Sequence, residues 1–250
     1  KPRMIEGFGP ETVSYDRVAF GDIDAVRTAI MPETAGIIIE PIQGEGGIRA
    51  ASTEFLVGLR ELCDQHDMVL CFDEIQSGAG RTGKFFSYQH HDVTPDIVTA
   101  AKGIGGGFPV SAVLANQRVA QYMTPGTHGS TYAGQPLGVR IAQTAIDLIR
   151  EPGFMEVAEE KGKHLQRRLK DLSHNFNDVV TSVDGKGLMI GMKLAVPNAE
   201  FLKRLREKHL IAISTADGGI RLLPPLIVTV AEIEHAVDVI RDVAHSFRPA

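Results

Sequence analysis

Short apolar, β-branched runs alternate with helical patterns along the first part of this chain. Strand patterns occupy 35–41, 68–72, 96–101 and 109–115, and helical spacing marks 22–31 and 52–66. The strand runs are continuously apolar, which is typical of strands buried on both faces. Strand-helix-strand order with such strands predicts an α/β fold, with a mainly parallel sheet covered on both faces.

The pattern changes near Pro152. Helices are predicted at 134–150 and 153–172, then strands at 179–183, 188–194 and 220–223 among helices at 199–209 and 230–247. We therefore expect a large domain over 1–152 and a small α+β domain over 153–250. The stretch up to Asp22 is irregular and Lys1 is not an initiator Met, so we expect an N-terminal part of the large domain to be missing from these residues.

Composition excludes several classes of protein. The chain has 250 residues, of which 43% are hydrophobic, and a net charge of −5, which argues against a nucleic-acid partner. It has neither a run long enough to cross a bilayer nor a signal peptide, so a cytoplasmic location is expected. Cys63 and Cys71, the only cysteines, lie in apolar surroundings and are predicted to be buried free thiols in a reducing compartment.

An acid and an amine each end a predicted buried strand. Asp73 follows the run 68–72, and Lys102 follows the run 96–101. Glu40 ends a third such run, and ligands of parallel sheets bind beyond these carboxyl ends. Pyridoxal phosphate (PLP) needs a lysine amine and an acid for its pyridine nitrogen. Taken singly, Asp73 could be a capping or salt-bridge residue at a strand end and Lys102 a surface residue.

Two loops offer phosphate-binding groups. The glycine run 103–107 lets the backbone pass close to a ligand, but it lacks the Walker and dinucleotide spacings, which disfavours a nucleotide site. The segment 127–132 carries the adjacent hydroxyls of Ser130 and Thr131, which suit a phosphate, although alone it is typical of a turn.

Charged residues outside these loops give further candidates. Arg221 lies in an apolar strand, where it needs an anionic partner such as Glu45 or a substrate carboxylate. An internal structural ion pair is the alternative. His90 and His91 lack metal-ligand spacing and are interpreted as surface residues, so no metal is predicted.

Seven features in this order resemble the class III (ornithine-type) PLP-dependent aminotransferases. They are the segments 40–47, 73–76, 80–83, 95–97 and 129–132, together with Lys102 and with Arg221 ahead of Pro224 and Pro225. The resemblance covers almost the whole chain. It implies the fold-type I architecture, with a PLP-binding large domain, a small C-terminal domain and a homodimer whose active sites are shared.

The resemblance assigns five residues to the cofactor. Lys102 would be the Schiff-base lysine, and Asp73 would pair with the pyridine nitrogen. Gln76 would contact the phenolic oxygen, and Glu74 and Ile75 belong to the same cofactor-binding segment. Lys102 and Asp73 are the implied catalytic residues.

Four more residues are implied at the shared sites. Thr131 would bind the phosphate of the neighbouring subunit's cofactor, and Ser130 would lie near substrate there. Glu45 would act as a gate near the substrate amine, paired with Arg221.

The stretches 59–64 and 221–226 favour the family members that act on N-acetylornithine. The implied reaction transfers its δ-amino group to 2-oxoglutarate in arginine biosynthesis, with ornithine, succinylornithine and 4-aminobutyrate as alternative donors. Ala133 and Gln135 depart from the Gly and Asn usual in relatives. The family's phosphate-cup loop belongs to the expected N-terminal part. A non-catalytic fragment that keeps the fold and the dimer surface is therefore the alternative of another class.

Overall fold

The computed structural model describes residues 7, 9 and 15–248. Two 3₁₀ turns, Ser87–His90 and Lys102–Gly105, accompany the helices and strands. In chain order these are α1 (Ile23–Ala29), β1 (Gly36–Ile39), β2 (Ile42–Gln43), β3 (Arg49–Ala50), α2 (Thr53–Gln65), β4 (Val69–Asp73), β5 (Ile97–Ala100), β6 (Ala112–Ala115), α3 (Gln117–Ala120), α4 (Pro136–Ile149), α5 (Phe154–Asn175), β7 (Val180–Lys186), β8 (Met189–Leu194), α6 (Asn198–Glu207), β9 (Ile213–Ser214), β10 (Ile220–Leu222) and α7 (Val230–His245).

A mixed sheet with the order β1-β4-β5-β6 forms the first half of the molecule. β1 pairs with β4 and β4 with β5 in parallel, whereas β6 pairs antiparallel with β5. The mainly parallel sheet of an α/β fold is thereby confirmed. The predicted irregular opening holds for 15–22, and most of its earlier part lies outside the described residues.

The described helices bury only one face of the mixed sheet. On that face Leu70 and Phe72 pack against α1 and α2, and Val98 packs near α4. On the opposite face Ile38 is 60% exposed and Val113 is 57% exposed. The prediction that both faces are covered is therefore wrong for the described residues, because α1, α2 and α4 all pack on the same side.

Hydrogen-bonded caps begin the two helices of the mixed-sheet region. Asp22 Oδ1 accepts from Ala25 N at 2.9 Å, and Ser52 Oγ accepts from Phe55 N at 3.2 Å. Each oxygen satisfies a backbone donor that has no partner within the helix. Asp and Ser are among the residues most favoured at this position, so both helices begin where the sequence offers a capping oxygen.

An antiparallel sheet with the order β7-β8-β10-β9 forms the second half. The predicted strands and helices of this region are confirmed, while the two-residue edge strand β9 was too short to predict. Helices α5, α6 and α7 close a core over this sheet. Its fully enclosed side chains include Leu169, Ile190, Phe201, Leu205 and Ile240. Burying such side chains contributes about 1.5–3 kcal/mol each.

A short hairpin of β2 and β3 joins the two halves. Beyond the strand-end residue Glu40, Ile42 pairs with Ala50 and closes the hairpin around a glycine-rich loop. Ile42 and Ile48 pack against Met189 of the antiparallel sheet. None of the helices within 15–248 combines the length and the apolar character needed to cross a membrane.

Candidate active site

The carboxyl ends of three parallel strands bring Glu40, Asp73 and Lys102 to one edge of the mixed sheet. Glu40 follows β1, Asp73 ends β4, and Lys102 stands two residues beyond β5. The parallel pairing confirms the prediction that these ends lie side by side. Burial raises the pKa of the Glu40 carboxyl, while the N–H of Gly44 and the Lys102 ammonium oppose that rise.

Lys102 has an unusual backbone conformation, with a φ of +49° in the left-handed region. A residue with a side chain costs roughly 1–2 kcal/mol there, and such strain is concentrated at functional sites. The Lys102 side chain is exposed. A Cβ at Gly103 would stand 2.8 Å from the Cβ of Ala79, so a glycine is needed where this turn packs on the loop after Asp73. The turn fixes the backbone and leaves the amine accessible.

Arg221 is buried, with 7% of its side chain exposed, and is paired with Glu45. Its Nη1 lies 2.8 Å from Glu45 Oε1 and 2.8 Å from Gln76 Oε1. Gln76 Nε2 donates to the same Glu45 oxygen at 3.2 Å. The hydrogen bond from Arg221, with its positive charge, lowers the pKa of Glu45. The anionic partner predicted for Arg221 is present, and Gln76 joins the pair.

The amide of Gln76 is held by this ion pair. A Cβ at Gly44 would stand 2.5 Å from Gln76 Oε1, so the glycine leaves room for the amide between Glu45 and Arg221. Contact of Gln76 with a phenolic oxygen stays a prediction. The geometry shows that any such contact is coupled to the Glu45–Arg221 pair.

Glu74 turns away from the strand-end site. Its side chain is enclosed, since the residue is only 1% exposed. Its carboxylate accepts hydrogen bonds from Ser77 Oγ at 2.5 Å, Ser87 Oγ at 2.7 Å and Tyr88 N at 2.8 Å. Burial raises its pKa, and these donors oppose the rise. Glu74 follows the last residue of β4 and its carboxylate is held by these donors, so its predicted part in the cofactor-binding segment stays a prediction.

The neighbours of Asp73 leave one of its oxygens available. The N–H of Ile75 donates to Asp73 Oδ1 at 3.0 Å, which fixes the orientation of the carboxylate. Ile75 is half-buried beside it.

Ser130 and Thr131 lie on an exposed turn between α3 and α4. The Ser130 carbonyl accepts from Ala133 N at 3.1 Å and closes that turn. The hydroxyls of both residues face solvent in the single chain. Their predicted role at a neighbouring subunit's site stays a prediction.

The loop after Asp73 is clamped to the antiparallel sheet by Arg81. Its guanidinium donates to the Pro224 carbonyl at 2.5 Å and to the Leu188 carbonyl at 3.4 Å. The N–H of Leu188 donates back to the Arg81 carbonyl at 3.0 Å. Burial lowers the pKa of Arg81. Arg81 therefore connects the loop beside the strand-end site to the segment just after Arg221.

His90 and His91, interpreted as surface residues, are half-buried. The 3₁₀ turn folds them back, so that His90 Nε2 lies 3.0 Å from the Thr82 carbonyl and His91 Nδ1 lies 2.7 Å from Thr53 Oγ1. Cys71 is also half-buried, on the open face of the sheet, whereas Cys63 is buried as predicted. Over residues 15–248, no three His, Cys, Asp or Glu side chains are grouped closely enough to hold a metal ion.

Unpaired polar atoms reveal a residue that sequence reasoning missed. Among the described residues, three buried side-chain atoms have no hydrogen-bond partner: Arg60 Nε, Arg221 Nε and Thr99 Oγ1. Arg221 belongs to the site through its hydrogen bonds to Glu45 and Gln76. Thr99 belongs to it because it pairs in register with Asp73. Strand alternation indicated which face Thr99 takes, but the register was not readable from the sequence.

A family model for class-III aminotransferases matches residues 6–244. The chain belongs to this family. The class-III match spans both sheets and all the strand-end residues described above. The predicted family is therefore confirmed, together with its fold-type I architecture.

Similar proteins agree with the family assignment. The chain is 48% identical over 239 residues to an acetylornithine aminotransferase of Mesorhizobium japonicum, covering 96% of this chain and 60% of that one. It is 48% identical over 230 residues to the Agrobacterium fabrum enzyme of the same name, covering 92% and 58%. This class-III chain thus spans about 60% of the length of these curated relatives.

Solved structures agree with the same family assignment. An acetylornithine aminotransferase from Elizabethkingia anophelis is 35% identical with a TM-score of 0.88, covering 97% of this chain and 62% of that one. An ornithine aminotransferase from Toxoplasma gondii is 29% identical with a TM-score of 0.93, covering 98% and 60%. The class-III fold is shared closely with proteins of both names.

Proposed function

We propose that this chain carries the active site of a PLP-dependent aminotransferase that transfers the δ-amino group of N-acetylornithine to 2-oxoglutarate. The observation that carries the proposal is the placing of Asp73 and Lys102 at the ends of adjacent parallel strands. The two relatives that are 48% identical, both acetylornithine aminotransferases, support the choice of donor. Because the chain spans about 60% of their length, the activity is proposed for the whole protein.

The residues at this edge fit PLP. The cofactor needs an amine and an acid, and Lys102 and Asp73 supply them. Thr99 Oγ1 and Arg221 Nε, both buried and unpaired among the described residues, add polar atoms that lack a partner. Such atoms are rare in native proteins, so this site gains hydrogen bonds when a polar ligand binds.

Asp73 and Lys102 would divide the chemistry between them. Asp73, oriented by the N–H of Ile75, would keep the pyridine nitrogen protonated through its other oxygen. When bound, PLP supplies an electron sink for negative charge on the substrate carbon. Lys102 would hold the cofactor covalently, and its freed amine would move the proton from one carbon to another. Both half-reactions would use one site, so we expect ping-pong kinetics.

Arg221 would bind a substrate carboxylate, since a guanidinium matches that group with paired hydrogen bonds. Glu45 balances the buried charge of Arg221, and 63% of the Glu45 side chain is exposed, which allows it to move away. 2-Oxoglutarate, a dicarboxylate, would displace Glu45 from Arg221. A cationic donor amine would leave Glu45 in place.

Subunit assembly and location belong to the same proposal. In a homodimer, Ser130 and Thr131 would serve the neighbouring subunit's site, and their exposure in the single chain supports this. The free thiols of Cys63 and Cys71 support a cytoplasmic, reducing location. The division into domains at residue 152 stays a prediction.

An absorbance spectrum with added PLP, before and after N-acetylornithine, tests the proposal. We expect a visible band from the bound cofactor that bleaches with the donor. Lys102→Ala should lose the band and lower turnover by at least about 10⁴-fold. Lys84→Ala, at an exposed lysine of the same region, should keep both.

Two results would contradict this assignment. Full turnover by Lys102→Ala would reject the role of the lysine. Absence of a band in the unmodified protein would favour the non-catalytic alternative.

Ornithine is the second candidate donor, because the Toxoplasma gondii ornithine aminotransferase superposes with a TM-score of 0.93. The ratio of kcat/KM for N-acetylornithine and ornithine decides between them. A preference for ornithine of more than about tenfold, or about 1.4 kcal/mol, would reassign the donor.

A further inference from the structure

The hydroxyl of Thr99 is buried and lacks a hydrogen-bond partner among the residues that the structure describes. The carbonyl of Thr99 has a partner, since it accepts from Glu74 N at 3.0 Å. A buried polar group without a partner destabilises a fold, so a native protein retains one where something else completes it.

The position of Thr99 indicates what completes it. Thr99 pairs with Asp73 on one side and with Val113 on the other. Residues paired in register face the same side of a sheet, so Thr99 and Asp73 share the face opposite to Phe72 and Val98. The described helices leave that face open at Val113. Asp73 and Thr99, which neighbour Val113 on that face, are half-buried.

The distance along the chain points to the same site. Lys102 follows Thr99 by three residues, across the end of β5. Thr99 thus lies between the acid that ends β4 and the amine that follows β5. Its hydroxyl and the Asp73 carboxylate form no hydrogen bond with each other among the described contacts.

We propose that Thr99 is a further cofactor-binding residue. Its hydroxyl would donate a hydrogen bond to a polar substituent of PLP, and PLP would lie between Asp73 and Lys102. This inference rests on the proposed function. PLP carries a phenolic oxygen and a phosphate, both strong acceptors for a hydroxyl donor. A threonine in a strand places that donor on a rigid element, which fixes its direction better than a loop would.

The test is Thr99→Val, which removes the hydroxyl and keeps the shape, in the whole protein. Without PLP, the unfolding midpoint of the variant should equal or exceed that of the parent, because an unpaired buried group is gone. With PLP, affinity from a spectroscopic titration should fall about tenfold, the loss of one hydrogen bond. Thr99→Ser, which keeps the hydroxyl, should restore most of that affinity.

Thr82→Val is the matched control. Thr82 is fully buried, but its Oγ1 lies 3.3 Å from His90 Nε2 and so has a partner. This variant should lower the unfolding midpoint and leave PLP affinity within about twofold. Thr82→Val is therefore expected to lower stability and keep PLP affinity, whereas Thr99→Val is expected to keep stability and lower PLP affinity.

Three results would overturn the inference. A Thr99→Val protein that unfolds more easily without PLP would show that the hydroxyl already has a partner. Unchanged PLP affinity in Thr99→Val, with normal binding by the parent, would reject the contact and leave the proposed function intact. Failure of the parent itself to bind PLP would reject the proposed function along with the inference.

Discussion

The two sheets of this molecule are packed very differently. The antiparallel sheet is closed by α5, α6 and α7 over a core in which Ile240 and Phe201 are fully enclosed. The mixed sheet is covered on one face only and exposes Ile38 and Val113 on the other. The candidate chemistry lies at the edge of the incompletely covered sheet. The half with the reactive groups thus leaves apolar side chains of its own sheet uncovered among the described residues.

Both halves contribute strained or unpaired groups to the candidate site. Lys102 has a left-handed φ and Thr99 has an unpaired hydroxyl in the mixed-sheet half, and Arg221, whose Nε is unpaired among the described residues, belongs to β10 of the other half. A ligand site needs open surface and polar atoms that the protein does not satisfy, whereas a core needs neither. The antiparallel half therefore serves as the stable support on which Arg221 is held.

The largest expected difference is in the free energy of unfolding that is lost when two isoleucines, one in each half, are shortened to alanine. Ile240→Ala should lower the free energy of unfolding by about 4 kcal/mol, because it leaves a cavity in an enclosed core. Ile38→Ala, on the open face, should cost no more than about 1 kcal/mol. Urea unfolding of both variants measures this, and similar costs would mean that the face of Ile38 is covered in solution.

A smaller effect concerns the connection between the halves. Arg81→Met removes the hydrogen bonds to the Pro224 and Leu188 carbonyls and keeps most of the apolar stem. We expect it to cost about 2 kcal/mol, and to increase hydrogen exchange at Leu222 just after Arg221. Lys84→Met, at an exposed lysine in the same loop, should stay within about 0.5 kcal/mol. Equal effects of the two variants would show that the Arg81 hydrogen bonds do not connect the two halves.

The smallest expected effect is a change in how steeply the stability of the protein depends on pH. Burial lowers the pKa of His90 to about 4, and its neutral ring is held at the Thr82 carbonyl. Between pH 6.5 and 4 the unfolded chain binds a proton that the folded one does not, so stability falls as the pH falls through this window.

The variant His90→Gln should flatten that part of the profile, measured as unfolding midpoint against pH. His174→Gln, at an exposed position of α5, is the control and should leave the slope unchanged. A His90 variant with the parent's slope would show that this histidine titrates normally in the fold.

Much of this arrangement was predictable from local patterns. Continuous apolar runs gave the parallel strands, Ser52 gave a helix start, and Asp73 and Lys102 gave the acid and the amine. Thr99 could not be predicted as a site residue from the sequence, because a strand threonine has no unusual feature until its neighbours in the sheet are known.

Element type, strand ends and the residues that suit a cofactor follow from short stretches of chain, because propensity, capping and side-chain period act within a few residues. Which sheet face stays open, which strands are neighbours and which buried atoms stay unpaired depend on contacts between distant segments. The pairing of Arg221 with Glu45 joins residues 176 positions apart. No local pattern specifies such a contact, because its energy exists only after the two sheets have packed together.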